Sequence, residues 1–218
     1  MKIAFLIFDK FTALDAIGPY EVLSRLPGAE LSFVAKRAGK QRSDARALAV
    51  SADLSLAELP DPDLLLVPGG EGNRPLMADD EVLDWVRTAH SGSTWTTSVC
   101  TGAFVLGAAG LLDGKRATTH WVYRDRLAEF GADAVAERYV IDGKVATAAG
   151  VSAGIDMALE LAARIAGKDA AKAIQLGIEY DPKPPFDSGS PEKATPELVE
   201  LIRRFEGVEA SDSEPSAA

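Results

Sequence analysis

Residues 3–8, Ile3-Ala4-Phe5-Leu6-Ile7-Phe8, form an apolar run with no polar alternation. A strand with one wet face alternates apolar and polar side chains. A run that is apolar throughout suits a strand buried on both faces, as in a parallel sheet with helices on each side. Residues 63–70 repeat the pattern in Leu64-Leu65-Leu66-Val67 and leave it through Pro68-Gly69-Gly70. Further β-rich runs fall at 31–35 and 94–99. Between them the spacing predicts helices over 18–25, stopped by Pro27-Gly28, and over 79–90, with Asp79, Asp80 and Glu81 at its positive end. A third follows at 103–109. Such alternation specifies an α/β fold: a flavodoxin-like three-layer sandwich, its central sheet mostly parallel and covered by helices on both faces.

Beyond residue 137, Asp142-Gly143 marks a hairpin between two β-rich runs over 138–147, and alanine-rich helices are expected at 153–166 and 170–180. Residues 181–192 carry four prolines and read as an irregular arm, and 207–218 as a flexible acidic tail. A chain of 218 residues, 47% hydrophobic, can bury one substantial core, so 1–206 is expected to be a single domain. A formal charge of −10 argues against a partner that is a nucleic acid or an anionic membrane. The basic pairs Lys36-Arg37 and Lys40-Gln41-Arg42 are short and suit a solvated hairpin rim. The single cysteine excludes an intramolecular disulfide and fits a reducing compartment; with only His90 and His120 to join it, no metal site is expected. The apolar N-terminus breaks at Asp9-Lys10, too short for a signal segment or a membrane span, so a cytoplasmic location is expected.

The chemistry-bearing groups fall where strands end, which in an open parallel sheet is where ligands bind. Cys100 follows the 94–99 run, and Gly102 permits a sharp turn into the next helix. At such a corner the helix N-terminus favours a thiolate, although a lone cysteine often only packs in a core. Gly69 and Gly70 exit the 64–67 strand. Their backbone allows close approach, so the Gly70 and Thr101 amides are candidate donors to developing negative charge; an ordinary strand-exit turn is the plainer alternative. Asp15 follows the first strand. It either caps a helix or, with Pro19 at the first helical position and Gly18 as the cap, lies upstream and faces the cysteine. His120, in Thr118-Thr119-His120-Trp121 where a strand end enters another helix, and Ser152 are weaker candidates.

Together, Leu14-Asp15-Ala16-Ile17-Gly18-Pro19, Pro68-Gly69-Gly70, Ser98-Val99-Cys100-Thr101-Gly102 and Gly114-Lys115-Arg116-Ala117-Thr118-Thr119-His120-Trp121 resemble the PfpI/ThiJ superfamily, which has a class I glutamine amidotransferase-like fold. Within it, Thr101 after the cysteine, the 174–180 segment and Pro184-Pro185-Phe186-Asp187-Ser188-Gly189-Ser190-Pro191 are most similar to the isonitrile (isocyanide) hydratases. Protease-like and chaperone-like members carry histidine where this chain has Thr101. Glutamine amidotransferases need a late His-X-Glu pair, and Gly150-Val151-Ser152-Ala153-Gly154 offers none. Without an imidazole, amide hydrolysis loses the acid that protonates its leaving amine. The resemblance therefore implies a cofactor-free enzyme that adds water to an isonitrile substrate through a Cys100 thioimidate. Asp15 and Thr101 would be its catalytic partners, Gly69, Gly70 and Thr101 would contact substrate or oxyanion, and His120 and Ser152 would stand behind them. It also implies a homodimer with the interface near the site. Two other readings remain at this level: a glyoxalase-type enzyme acting on methylglyoxal, and a non-enzymatic redox sensor or scaffold built on the same cysteine.

Overall fold

β1 (Lys2–Leu6) is the apolar run that starts the sheet, and only Lys2 of its residues is exposed. In the computed structural model it is followed by α1 (Ala13–Leu23), β2 (Glu30–Ala35), the short strands β3 (Gly39–Arg42), β4 (Ala49–Ala52) and β5 (Leu54–Ser55), and the buried β6 (Leu64–Val67). Next come α2 (Asn73–Leu76), α3 (Asp80–Gly92), β7 (Trp95–Val99), α4 (Gly102–Ala108), β8 (Arg116–Ala117) and β9 (Asp133–Ala134). The series ends with β10 (Tyr139–Asp142), β11 (Val145–Ala148), α5 (Ala153–Ala166), α6 (Lys168–Gly177) and α7 (Pro196–Phe205). Residues 1–208 are described, and the chain divides into two units at the boundary between Tyr180 and Asp181.

In the first unit, seven strands are ordered β10-β11-β7-β6-β1-β2-β5. All pairs are parallel except the β10–β11 hairpin. The chain runs from β1 to β2 on one side and returns to place β6 on the other. The order thus reverses at β1, and the loops beyond β1 and β6 diverge to leave a crevice there. The 3–8 run lies in the core, as do Leu64, Leu65, Leu66 and Val67. β3 and β4 pair as a separate antiparallel hairpin that holds Lys40-Gln41-Arg42 of the expected basic rim, while Lys36 lies before it and pairs with Asp79 and Glu81. Among the described residues no helix is long and apolar enough to cross a membrane.

Several helix boundaries differ from expectation, and one matters for the site. The helix placed over 18–25 is α1, which starts at Ala13 and holds Pro19 in its interior. Asp15 therefore lies in the first helical turn and not upstream of it. The proline removes the donor that would bond the Asp15 carbonyl, an interior cost that helices seldom bear. Tight packing on α5 offsets it: a Cβ on Gly18 would lie 2.9 Å from Ile155, and one on Gly154 would lie 3.0 Å from Pro19. The segment after Thr119 is a run of 3-10 helix, Trp121–Phe130, and the strand before it is only the two-residue β8. α6 ends at Gly177, short of the expected 180.

The second unit holds the irregular arm over 181–192 and then α7, which the sequence reading missed. Its signal was present: Pro196 in the first turn and Leu198, Leu201, Ile202 and Phe205 at helical spacing. Those four side chains are exposed. Of the expected acidic tail, only residues 207 and 208 are described.

Candidate active site

β7 runs buried from Thr96 to Val99 and ends in a backbone corner at Cys100. The turn there is made by the cysteine itself, with φ 55°, and not by Gly102 as expected. A left-handed non-glycine residue costs of the order of 1–3 kcal/mol and persists only when its surroundings hold it. Here the Cys100 amide donates to the carbonyls of Ala148 and Ala149, each at 3.0 Å, and its own carbonyl accepts from the Thr119 hydroxyl at 2.6 Å. Gly102 serves a different need. α4 starts so close to the end of β6 that any Cβ there would overlap the Val67 carbonyl. The corner thus holds Cys100 at the end of β7 with its backbone polar groups bonded.

Asp15 approaches the same point from α1. It is fully buried, and its Oδ2 accepts the Gly69 amide at 2.9 Å. The Cys100 side chain lies close enough to act on this carboxyl, and Oδ1 is buried with no hydrogen-bond partner. Burial raises the carboxyl's pKa from the ordinary 3.8 to about 7; the Gly69 amide and the Cys100 side chain pull the other way, and the negative charge of Asp44 adds to the rise. Asp44 is held in place by the Thr12 hydroxyl at 2.8 Å.

Thr101 links the glycine turn to the sulfur. Its Oγ1 accepts the Gly70 amide at 3.1 Å, while its own amide and hydroxyl bond the Cys100 side chain. The expected role of Gly70 as a direct donor to developing charge is corrected accordingly, because its N–H is engaged by Thr101 and acts on the sulfur only through that hydroxyl. Gly69 likewise acts through Asp15. The turn is compact enough that a Cβ on Gly69 would lie 2.8 Å from both Asp15 Oδ2 and the Thr101 amide.

Two groups escaped the sequence reading. The Val151 amide is a third hydrogen-bond donor to the sulfur, offered from a residue with φ 37°. Asn73 Nδ2 bonds the Thr101 carbonyl at 2.8 Å, joining α2 to the corner. A valine before an alanine-rich helix gives no sequence signal. The 71–73 turn is polar and glycine-containing, but that is ordinary loop composition.

The expected bias toward thiolate is also reversed. Burial is the largest influence and pushes the Cys100 pKa well above its ordinary value, the neighbouring Asp15 carboxylate adds to it, and the bonds from Thr101 and Val151 offset only part. Placement at a helix start does not outweigh removal from water. The groups acting on the thiol are thus a carboxyl, a threonine and two backbone amides. His120 packs its ring over Gly150, where a Cβ would come within 2.5 Å of it, and stands beside Trp121 and Tyr123. His90 bonds Thr96 at 2.8 Å near the other end of β7. Ser152 lies just ahead of α5 with its hydroxyl on Arg138. Among the described residues, no cluster of His, Cys, Asp and Glu is arranged to hold a metal ion.

The same fold occurs in known proteins. A Pseudomonas syringae protein described as a ThiJ/PfpI family member superimposes with a TM-score of 0.91 at 36% identity, covering 94% of this chain and 86% of its own. Drosophila melanogaster DJ-1beta shares the fold, with a TM-score of 0.74 at 21% identity over 82% of this chain and 97% of its own. The Pseudomonas putida isonitrile hydratase is 45% identical over 204 residues, 94% of this chain and 89% of that one. The sequence model of the DJ-1/PfpI family matches residues 1–164, so the stretch that builds the sheet, the Cys100 corner and the Asp15 helix is a family inheritance, and the chain belongs to the DJ-1/PfpI family.

Proposed function

We propose that this protein is an isonitrile hydratase, converting R–N≡C and water into the N-substituted formamide R–NH–CHO. The observation that carries the reading is the buried Asp15 carboxyl beside the Cys100 side chain, with its Oδ1 unpartnered and its pKa raised to about 7. An isonitrile has no leaving group. Its terminal carbon must gain both a proton and a nucleophile, and Asp15 and Cys100 are placed to supply one each. The 45% identity to a protein named isonitrile hydratase supports the substrate class.

With the thiol pKa raised above that of the carboxyl, the resting pair holds its proton on sulfur. Asp15 relays that proton to the isonitrile carbon as sulfur forms its bond to the same atom, leaving the thioimidate R–N=CH–S–Cys100. The sulfur never has to persist as a free buried thiolate, which suits its environment. Asp15, now a carboxylate, takes a proton from water as the oxygen adds to the thioimidate carbon, and returns it to nitrogen. The tetrahedral adduct R–NH–CH(OH)–S–Cys100 then collapses. The hydroxyl proton passes to Asp15, the C–S bond breaks toward sulfur and the formamide leaves. The departing sulfur is received by the Thr101 hydroxyl and the Thr101 and Val151 amides, after which the proton returns to it from Asp15. General acid–base assistance of this type typically contributes about 10²- to 10⁴-fold. The steps use only water and these groups.

The test is to mix the purified protein with an aromatic isonitrile and follow formamide by chromatography. Turnover that saturates with substrate is the expected result. No formamide, together with lactate formed from methylglyoxal, would replace this reading with the glyoxalase-type one. Ready oxidation of Cys100 with neither product would leave a redox sensor.

We also propose that the working form is a homodimer, in a reducing cytoplasmic setting consistent with one free thiol. Exposure of Leu198, Leu201, Ile202 and Phe205 along one side of α7 supports association. Light scattering should give twice the chain's 23.0 kDa, and a monomer mass at micromolar concentration would exclude it.

A further inference from the structure

The turn over 149–152 brings the Val151 amide to the Cys100 sulfur, and little within the turn itself favours that shape. Val151 is β-branched at φ 37°, a conformation that such a side chain adopts only under constraint. One residue outside the turn, Arg138, just ahead of β10, bonds it at two points. Its carbonyl accepts the Ala149 amide at 2.9 Å. Its guanidinium donates through Nε to Asp156 Oδ2 in the first turn of α5, and through Nη2 to the Ser152 hydroxyl at 3.3 Å. The Tyr180 hydroxyl stands close enough to interact with both Asp156 and Arg138. Arg138 therefore grips the strained turn on its near side by its backbone and on its far side by its side chain.

We propose that Arg138, paired with Asp156, is a positioning residue for the reaction: it holds the 149–152 turn so that the Val151 amide stays on the Cys100 sulfur. The inference rests on Cys100 being the reacting thiol and not on which substrate it attacks. The planar guanidinium is suited to the task because it engages a carboxylate and a hydroxyl at once, which an ammonium does less well. The bland alternative is a half-exposed ion pair, worth about 0–1 kcal/mol to stability and nothing to the thiol. The two differ in what they predict at sulfur. The groups facing Cys100 are Asp15 from α1, Thr101 ahead of α4 and Val151 ahead of α5. Those facing the guanidinium are Asp156 and Tyr180, while the adjacent Glu137 is paired with Arg116. Arg138→Lys keeps the positive charge but not the planar fork, so it separates an effect passed through the turn from one of charge alone.

The experiment measures alkylation of Cys100 by iodoacetamide against pH, alongside kcat and KM with an aromatic isonitrile. Losing one donor to a developing thiolate makes ionisation harder, so Arg138→Ala should move the alkylation midpoint to higher pH and slow alkylation at neutral pH about tenfold. kcat should fall by a similar factor, with KM changed less than about twofold. Arg138→Lys and Asp156→Asn should fall between this and the parent protein. Arg164→Ala, which breaks the Arg164–Glu160 pair near the far end of α5, should leave both readings unchanged. A folded Arg138→Ala protein with the parent's alkylation profile overturns the proposal. Should that variant not fold, parent-like profiles in both Arg138→Lys and Asp156→Asn overturn it equally. Because alkylation needs no isonitrile, failure of the hydratase reading leaves this outcome readable on its own.

Discussion

Cys100→Ala is expected to abolish formamide formation, with a loss of at least about 10⁴-fold in kcat, because it removes the only atom able to form the thioimidate. General acid–base help from Asp15 acting on water alone does not replace it, since an isonitrile carbon protonated without a nucleophile in contact has no lower-energy path at this site. The measurement is formamide release over hours at high enzyme concentration. Mass spectrometry of the parent protein during turnover should show the mass of one added isonitrile, and the Ala variant should show none. Residual turnover within a hundredfold of the parent would rule out covalent catalysis. Since φ at this position is 55°, an alanine keeps the strained corner, whereas Cys100→Gly relieves it. The glycine variant should be equally inactive and more stable than the alanine one, by about 1 kcal/mol. Inactivity combined with retained or improved stability separates loss of chemistry from loss of fold.

Asp15→Asn is expected to cripple turnover while making the protein more stable at alkaline pH. The sign follows from the raised pKa. Below about pH 4 the carboxyl is protonated in both folded and unfolded chains and contributes no difference. Between that pH and the folded value of about 7 the unfolded chain ionises while the folded one does not, and stability falls as pH rises. Above it the full difference is present, of the order of 4 kcal/mol for a shift of about three units. Asparagine carries no charge to desolvate and its carbonyl can still accept the Gly69 amide. Near pH 8 its gain in Tm should be of the order of 10 °C, and near pH 4 it should be small. Thermal unfolding of both proteins across that range checks it. A variant that is less stable near pH 8, or a parent protein whose Tm does not decline as pH rises from about 4 to 7, would show that Asp15 is not held neutral by burial. Such a group is costly to the fold and useful to the chemistry, the usual sign of a site shaped for reaction.

Much of the fold was legible because its strands are buried on both faces. The 3–8 and 64–67 runs have no polar interruption, and this alone points to a parallel sheet between helix layers. The 153–166 helix matched α5 to the residue, since its apolar spacing is uninterrupted. α1 was misplaced because Pro19 and Gly18 read locally as a helix start. Only the close approach of α5 makes a proline in the helix interior tolerable there. α7 was missed because a four-proline arm precedes it and dominated the reading of that region.

The site divides along the same line. Cys100, Thr101, Gly69 and Gly70 could be read from the sequence as candidates, because each follows a recognisable strand and strand ends converge in this architecture. Their roles could not. Whether the Gly70 amide points at a substrate or at the Thr101 hydroxyl depends on how two loops about thirty residues apart in sequence meet. That the thiol is held neutral is likewise a tertiary result, since a helix start is local but desolvation is set by everything packed around it. The same holds for Asp15, whose raised pKa comes from burial beneath the Gly69 turn, and for Val151, whose amide acts on the sulfur across a turn that Arg138 bonds from outside. Residue type and spacing decided which elements would form and which groups would stand at their ends. Only the folded chain decided where their protons reside, because that depends on water excluded and dipoles brought together from distant parts of the sequence.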